Sequence, residues 1–289
     1  MKTAVMTDTN SGLSVQEGLQ DGVFVIPMPV TIGENCYLEG VDITHEQLYA
    51  ALRAGEDVHS SQPSPGDVTD IWDYILTSGY DELIYIPMSS GLSGSCQTAR
   101  QLALDYGGRV LVADNRRVSV TQYESVFEAV RMAKRGVRAE DIKRTLDTQA
   151  ANSSIYIAVD SLEYLKRTGR VTEAGASIAD TLDLKPILTI QGGKLDAYSK
   201  SRGMKRAEGR MIDAAAIDIL HRFGRFSMND IRIGAAGTFE DPADALAWTE
   251  RLRTAFPECA VYYQPLSCSI ACHVGVNAVG LGISCISER

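Results

Sequence analysis

This sequence predicts an α/β protein of two α/β units: a mostly parallel sheet flanked by helices first, then a mixed sheet with helices. Three observations carry that expectation. The chain has 289 residues, more than one hydrophobic core usually serves. Its first half alternates short apolar runs with helical periodicity, the pattern of a parallel sheet covered on both faces. Its second half contains Gly192-Gly193 between two extended runs, a hairpin signal that makes one strand pair antiparallel. The division falls near residue 152, giving an N-terminal unit 1–152 and a C-terminal unit 153–289.

In chain order, Thr3–Met6, Val23–Val30, Glu82–Met88 and Arg109–Ala113 are rich in Val, Ile, Leu or Tyr and read as strands. Ser14-x-x-Glu17 and Thr44-x-x-Gln47 fit capping boxes, in which hydroxyl and later side chain satisfy orphan backbone donors. Asp67–Thr77 carries Val68, Ile71, Trp72 and Ile75 at helical spacing, and another helix spans about Ser93 to Tyr106. Two helices broken near Gly136 fill Ser119 to Ala150. A strand at Ser154–Val159, the Gly192-Gly193 hairpin and a helix from about Gly203 to Phe223 follow. Next come a strand at Ile231–Ala235, a helix after Asp241-Pro242, a strand at Ala260–Tyr263 and a Gly-rich terminal strand region.

The formal net charge of −9 opposes general nucleic-acid binding, because phosphate neutralisation needs a basic surface. The amino terminus reaches Asp8 too soon for the apolar core of a secretory signal. No apolar run approaches the ~20 residues that span a bilayer. A cytoplasmic protein without stable membrane insertion is expected. The six cysteines are scattered and expected reduced. Cys268-x-x-x-Cys272-His273 offers three candidate ligands, but not at zinc-knuckle spacing, so no metal is expected.

Two Ser-rich turns carry the chemistry. Ser89-Ser90-Gly91-Leu92-Ser93-Gly94-Ser95 follows a strand and opens a helix. In a parallel sheet that place is the ligand edge, and a helix start favours an anion. Ser93 either points its hydroxyl at such a ligand or simply caps the helix. Ser60-Ser61-Gln62-Pro63-Ser64 is stiffened by proline and also precedes a helix, although such turns are common on surfaces. A P-loop is excluded by the lack of a Lys after the last Gly. The nucleophile elbow Gly-x-Ser-x-Gly just fails at Ser95, yet the order Ser93, aspartates, His273 keeps a serine hydrolase with Ser93 as nucleophile as an alternative. Basic clusters lie at 166–170 and 200–206. Arg202, between a strand and a helix, could meet a carboxylate or phosphate in forked geometry. His273 sits in a Gly-rich stretch.

These motifs resemble the DegV family of fatty-acid-binding proteins, which in some bacteria deliver acyl chains to a fatty acid kinase. Thr7-Asp8-Thr9-Asn10, Ser60-Ser61-Gln62-Pro63, Ser89–Ser95, Leu162–Arg170 and Leu184–Leu188 match across nearly the whole chain. Thr168 replaces a family Gly, and His273-Val274-Gly275-Val276-Asn277 lacks the Pro and Gly of the usual His-x-Gly-Pro-Gly. The resemblance implies a long-chain fatty acid between the two units, its carboxylate hydrogen-bonded by Ser61 and Ser93. It also implies that Arg170, Arg202 and His273 belong to the entrance or to a phosphoryl-transfer and partner site. The expected protein is a carrier and not an enzyme, with no cofactor beyond its fatty acid ligand. Its expected partner is a kinase that performs the chemistry. A lipid-dependent sensor or structural protein is a further alternative.

Overall fold

The computed structural model describes residues 1–177 and 184–286. The first sheet contains β1 (Thr3–Asp8), β2 (Val23–Ile26), β6 (Glu82–Ile86) and β7 (Val110–Val112), all parallel in the order β2-β1-β6-β7. Side-chain alternation splits its residues between two buried faces. Met6, Ile26, Leu83 and Tyr85 pack with Trp72 and Ile75 of α3 (Pro65–Thr77) and Ala99 of α4 (Ser95–Ala103). Val5, Val25, Ile84 and Ile86 pack with Val126 and Val130 of α5 (Val120–Lys134) and Ile142 of α6 (Ala139–Thr148). β1 is buried at every position, as a central strand covered twice must be. The predicted capping boxes form at Ser14, opening α1 (Val15–Asp21), and at Thr44, opening α2 (His45–Ala54).

The run Val23–Val30 is not one strand. It divides at Pro27 into β2 and β3 (Pro29–Ile32), which belong to different sheets. β3 pairs antiparallel with β4 (Asn35–Leu38) and β5 (Val58–Ser60), forming a small sheet that sequence reading missed. Its strands are three and four residues long, too short for alternation to register.

The second large sheet has the order β10-β9-β8-β13-β11-β12. It comprises β8 (Ser153–Ala158), β9 (Leu184–Ile190), β10 (Asp196–Arg202), β11 (Ile231–Gly237), β12 (Ala260–Pro265) and β13 (Val279–Cys285). β11 and β12 are parallel and the remaining pairs antiparallel, so the sheet is mixed, and β9 and β10 form the predicted hairpin. One face, with Tyr156, Ile233, Leu281 and Ile283, is covered by α9 (Met204–His221) and α10 (Pro242–Ala255). Short helices α7 (Glu163–Thr168) and α8 (Glu173–Ala176) follow β8. A third short helix, α11 (Cys268–Val274), carries His273 where the sequence reads as part of a Gly-rich terminal strand region. Its residues Cys268, Ala271 and Cys272 share a core with Val30, Leu48 and Val58, so it seats on the small sheet of the first half.

Helix α5 lies between the two large sheets. On one side Gln122 Nε2 donates to Thr7 Oγ1 (3.0 Å), Asp8 Oδ1 (3.1 Å) and the Ile86 carbonyl (3.1 Å). On the other, Val120 meets two strand positions that lack side chains. A Cβ on Gly234 would lie 2.3 Å from Val120 Cβ, and one on Gly282 would lie 2.5 Å from Val120 Cγ2. Glu39 adds a polar tie by accepting from Thr9 Oγ1 (2.8 Å) and from the Cys268 and Ser269 amides at the start of α11.

Two predictions follow from this packing. Gly234→Ala should cost about 1–3 kcal/mol by overpacking, read as a lower urea midpoint. Gly280→Ala, whose Cβ meets nothing closer than the Tyr156 carbonyl at 3.4 Å, should leave the midpoint nearly unchanged. Burial pushes the Glu39 carboxyl from 4.5 to about 7. A carboxyl raised on folding contributes stability that is complete below its unfolded value and is lost as pH rises through its folded one. The stability difference between the parent and Glu39→Gln should therefore shift against the parent between pH 4.5 and 7, as measured by denaturation at both ends of that window.

Candidate functional site

The order β2-β1-β6-β7 makes the chain leave β1 toward one edge and later return to β6 on its other side. Loops after β1 and β6 therefore diverge, opening a crevice at the carboxyl end of the sheet where ligands of open α/β sheets bind. A cavity lies there, and the second half closes it. Its polar wall includes Asn10, Ser61, Ser93, Arg170 and His273; its apolar wall includes Val118, Val120, Ile155, Ile157, Ile190 and Leu195. Ile155 and Ile157 project from β8 on the face opposite Tyr156, so strand alternation aims them inward. The interior admits the centres of water-sized spheres over ≈ 100 Å³, several times the roughly 10–15 Å³ that one water needs by that measure.

The turn after β6 is shaped by its own serines. Ser89 accepts from the Gly91 amide through Oγ (3.1 Å), and its carbonyl accepts from the Leu92 and Ser93 amides (3.0 and 3.2 Å). Ser90 Oγ donates to Asp114 Oδ2 (2.6 Å). Gly91 is needed because a Cβ there would lie 2.9 Å from the Gly193 backbone at the tip of the β9–β10 hairpin. Ser93 borders the cavity but is not the N-cap of α4, a position that Gly94 fills without a side-chain cap bond. The Ser93 Oγ accepts from the Ser95 amide (3.2 Å), while a hydroxyl also has one proton to donate. Regular helix starts at Ser95, two residues later than expected.

The other Ser-rich turn ends β5. The Ser61 amide donates to the Pro29 carbonyl (3.1 Å), and Ser61, itself exposed, borders the cavity. Ser60 Oγ lies 2.8 Å from His273 Nε2 on α11. Burial, with the nearby Arg170, His59 and Arg167, pulls the His273 pKa down to about 4, so the ring is neutral near pH 7. Arg170 reaches the Thr168 carbonyl, and among the described residues no carboxylate pairs with it. A guanidinium at a cavity wall without a countercharge suits an incoming anion.

Four of the five residues singled out from sequence, Ser61, Ser93, Arg170 and His273, thus line one cavity. Arg202 does not. It is exposed at the end of β10, in a basic surface hollow with Lys200, Lys205, Arg206 and Arg210. Among the described residues the hydrolase alternative finds no assembled triad: His273 Nε2 faces Ser60 instead of Ser93, and its buried Nδ1 has no orienting partner there. Nor does His273 join the two α11 cysteines. Cys272 Sγ donates to the Cys268 carbonyl (3.2 Å), and Cys268 groups instead with Glu39 and His45, donor atoms within 4.8 Å. There Glu39 is engaged with backbone amides and His45 Nε2 lies 3.0 Å from the Leu266 carbonyl. Sequence reading missed Asn10 and Ser119 as cavity residues. The position of Asn10 two residues past the end of β1 was the available signal.

The DegV family profile, described as an uncharacterised protein family, matches residues 2–285. A DegV domain-containing protein of Caldanaerobacter subterraneus subsp. tengcongensis is 34% identical over 214 residues, covering 73% of this chain and 76% of that protein. The solved structure of a fatty-acid-binding DegV family protein from Thermus thermophilus superposes with TM-score 0.86 at 27% identity, covering 99% of this chain and 100% of that one. The structure of DegV, a fatty acid binding protein from Bacillus subtilis, gives TM-score 0.85 at 25% identity over 99% and 100% of the respective chains. With the parallel sheet, the mixed sheet and a cavity where the two meet, this chain belongs to the DegV family.

Proposed function

We propose that this protein is a carrier that buries one long-chain fatty acid between units 1–152 and 153–289 and presents its carboxylate to a fatty acid kinase. The observation that carries the reading is the convergence of Ser61 and Ser93, 32 residues apart in sequence, on the polar wall of one largely apolar cavity. The fatty-acid-binding relatives from Thermus thermophilus and Bacillus subtilis support the ligand class. Tail burial yields about 0.8 kcal/mol per CH₂, so a tail of some sixteen carbons supplies on the order of 10 kcal/mol before association costs. Hydroxyl donors from Ser61 and Ser93, with Arg170 close by, offset the several kcal/mol lost when a carboxylate is desolvated. His273, neutral and bonded to Ser60, adds no charge of its own. Among the described residues no helix is long and apolar enough to cross a membrane.

In the same reading Arg202 works from outside. Its exposed basic hollow suits contact with an acidic partner surface or a nucleotide phosphate, not with the buried head group.

Organic extraction of the purified protein followed by mass spectrometry should recover nearly one fatty acid per chain. Delipidated Ser93→Ala should rebind palmitate about tenfold more weakly, the scale of one lost donor to a charged group. Folded protein that yields no lipid and rebinds none would sink the carrier reading. Arg202→Ala should lower acyl phosphate formation with a cognate kinase while leaving palmitate affinity intact. A parallel fall in both would move Arg202 into the lipid site.

A further inference from the structure

The loops after β1, β6 and β7 are stitched together by backbone hydrogen bonds. Ser89 N–H donates to the Arg117 carbonyl (2.9 Å), and Ser119 N–H donates to the Asn10 carbonyl (2.8 Å). This places Ser119 on the same rim of the sheet as the turn that carries Ser93. Ser119 is the residue before α5, with φ 56° and ψ −138°, and its side chain does not cap the helix. Such a conformation is costly for a residue with a Cβ. Ser119 is 6% exposed, and among the described residues its Oγ has no hydrogen-bond partner. It lines the cavity.

A buried hydroxyl in a strained residue, with its bonding capacity unused, is built for a partner that arrives later. The surroundings say what kind. α5 runs for fifteen residues and has no acidic residue in its first turn, so the partial positive charge at its start is uncompensated by its own side chains and favours an anion. Asn10 is the neighbouring donor. Its Nδ2 has the Met88 thioether at 3.1 Å, a weak acceptor, and Asn10 also borders the cavity. Its Oδ1 is occupied by Ser267 Oγ (3.1 Å) and Ser269 Oγ, and its side-chain amide also donates toward Asp8, so what Asn10 can still offer is the N–H that only the thioether holds. Two donors and a helix start, with no spare acceptor among them but the hydroxyl itself, match an anionic oxygen.

We infer that Ser119 is a third hydroxyl of the head-group site, donating to a carboxylate oxygen of the bound fatty acid at the start of α5, with the Asn10 amide beside it. The inference rests on the fatty-acid reading above and deepens it by adding a determinant of acid over neutral head groups.

The test uses delipidated full-length protein and two probes of equal chain length, palmitic acid and 1-hexadecanol. Ser119→Ala removes the hydroxyl and keeps the Cβ. Ser119→Gly removes both and relieves the backbone strain, so it guards against loss of fold. Both variants should bind palmitate about tenfold more weakly and narrow the preference for acid over alcohol by a similar factor. Equal weakening toward both probes would mean that Ser119 shapes the pocket or holds a water, and would overturn the inference. So would unchanged palmitate binding. Ser93→Ala and the parent protein, measured alongside, separate the two levels. A parent that binds no palmitate refutes the fatty-acid reading, whereas a parent that binds, weakened by Ser93→Ala but not by Ser119→Ala, refutes only the role of Ser119.

Discussion

The architecture depends on how closely α5 approaches the second sheet. Val120 stands against Gly234 of β11 and Gly282 of β13, where any Cβ would come within 2.5 Å of it. Tyr262 adds a bond from its hydroxyl to the Val120 carbonyl (2.8 Å). Because the same helix presents Gln122 to β1 and β6, one element sets the distance between the two large sheets. Beside this contact, Gly280 and Ala236 border open space. The absence of side-chain bulk thus does two jobs on one sheet face. At two positions it admits a helix, and a few ångströms away it leaves a cavity. Close packing elsewhere makes that void hard to close by relaxation.

A second constraint is the buried polar layer at the carboxyl end of the parallel sheet. Asp8 is fully enclosed, and burial pushes its carboxyl upward although Met88 N–H, Gln122 and Asn10 all donate to it. Each of these bonds pins a different loop: Met88 the one after β6, Gln122 the central helix, Asn10 the turn after β1. Glu39 repeats the arrangement one layer out, tying the small sheet to α11. A half-satisfied network of this kind is more costly than an apolar core, so its members hold one another in register. That rigidity allows serines on short turns, Ser61 and Ser93, to border the same space.

Most of the elements were legible in sequence because their signals are local. Capping boxes at Ser14 and Thr44, the break near Gly136, Asp241-Pro242 and the Gly192-Gly193 hairpin each announce themselves within a few residues, and each is present. The failures share one cause. Val23–Val30 is apolar enough to read as a single strand, and only the tertiary fold assigns its two ends to different sheets around Pro27. α11 is seven residues long and lies against the small sheet built by residues more than 200 positions earlier, so no window along the chain contains its reason for folding. The pairing of Ser60 with His273 spans 213 positions and was equally invisible. Ser119 was seen only as a helix start, because a positive φ and an unused hydroxyl leave no trace in a string of letters.

On the carrier reading proposed above, the composition of the cavity's polar wall bears on how a ligand's head group would be held. A carboxylate locked in a buried bidentate salt bridge is held tightly and is hard to reach. Here the neutral donors that border the cavity are hydroxyls and side-chain amides, the histidine is neutral because burial lowers its pKa to about 4, and Arg170, among the described residues the one guanidinium that lines it, leans on the Thr168 carbonyl. Each neutral donor stabilises negative charge moderately and can be replaced by water at small cost when the ligand leaves. The affinity then resides mainly in the tail, which no reaction at the carboxylate disturbs, while the head remains exchangeable. On that proposed reading, separating a strong apolar hold from a soft polar one lets a single cavity both retain a fatty acid and surrender its carboxylate oxygen to chemistry.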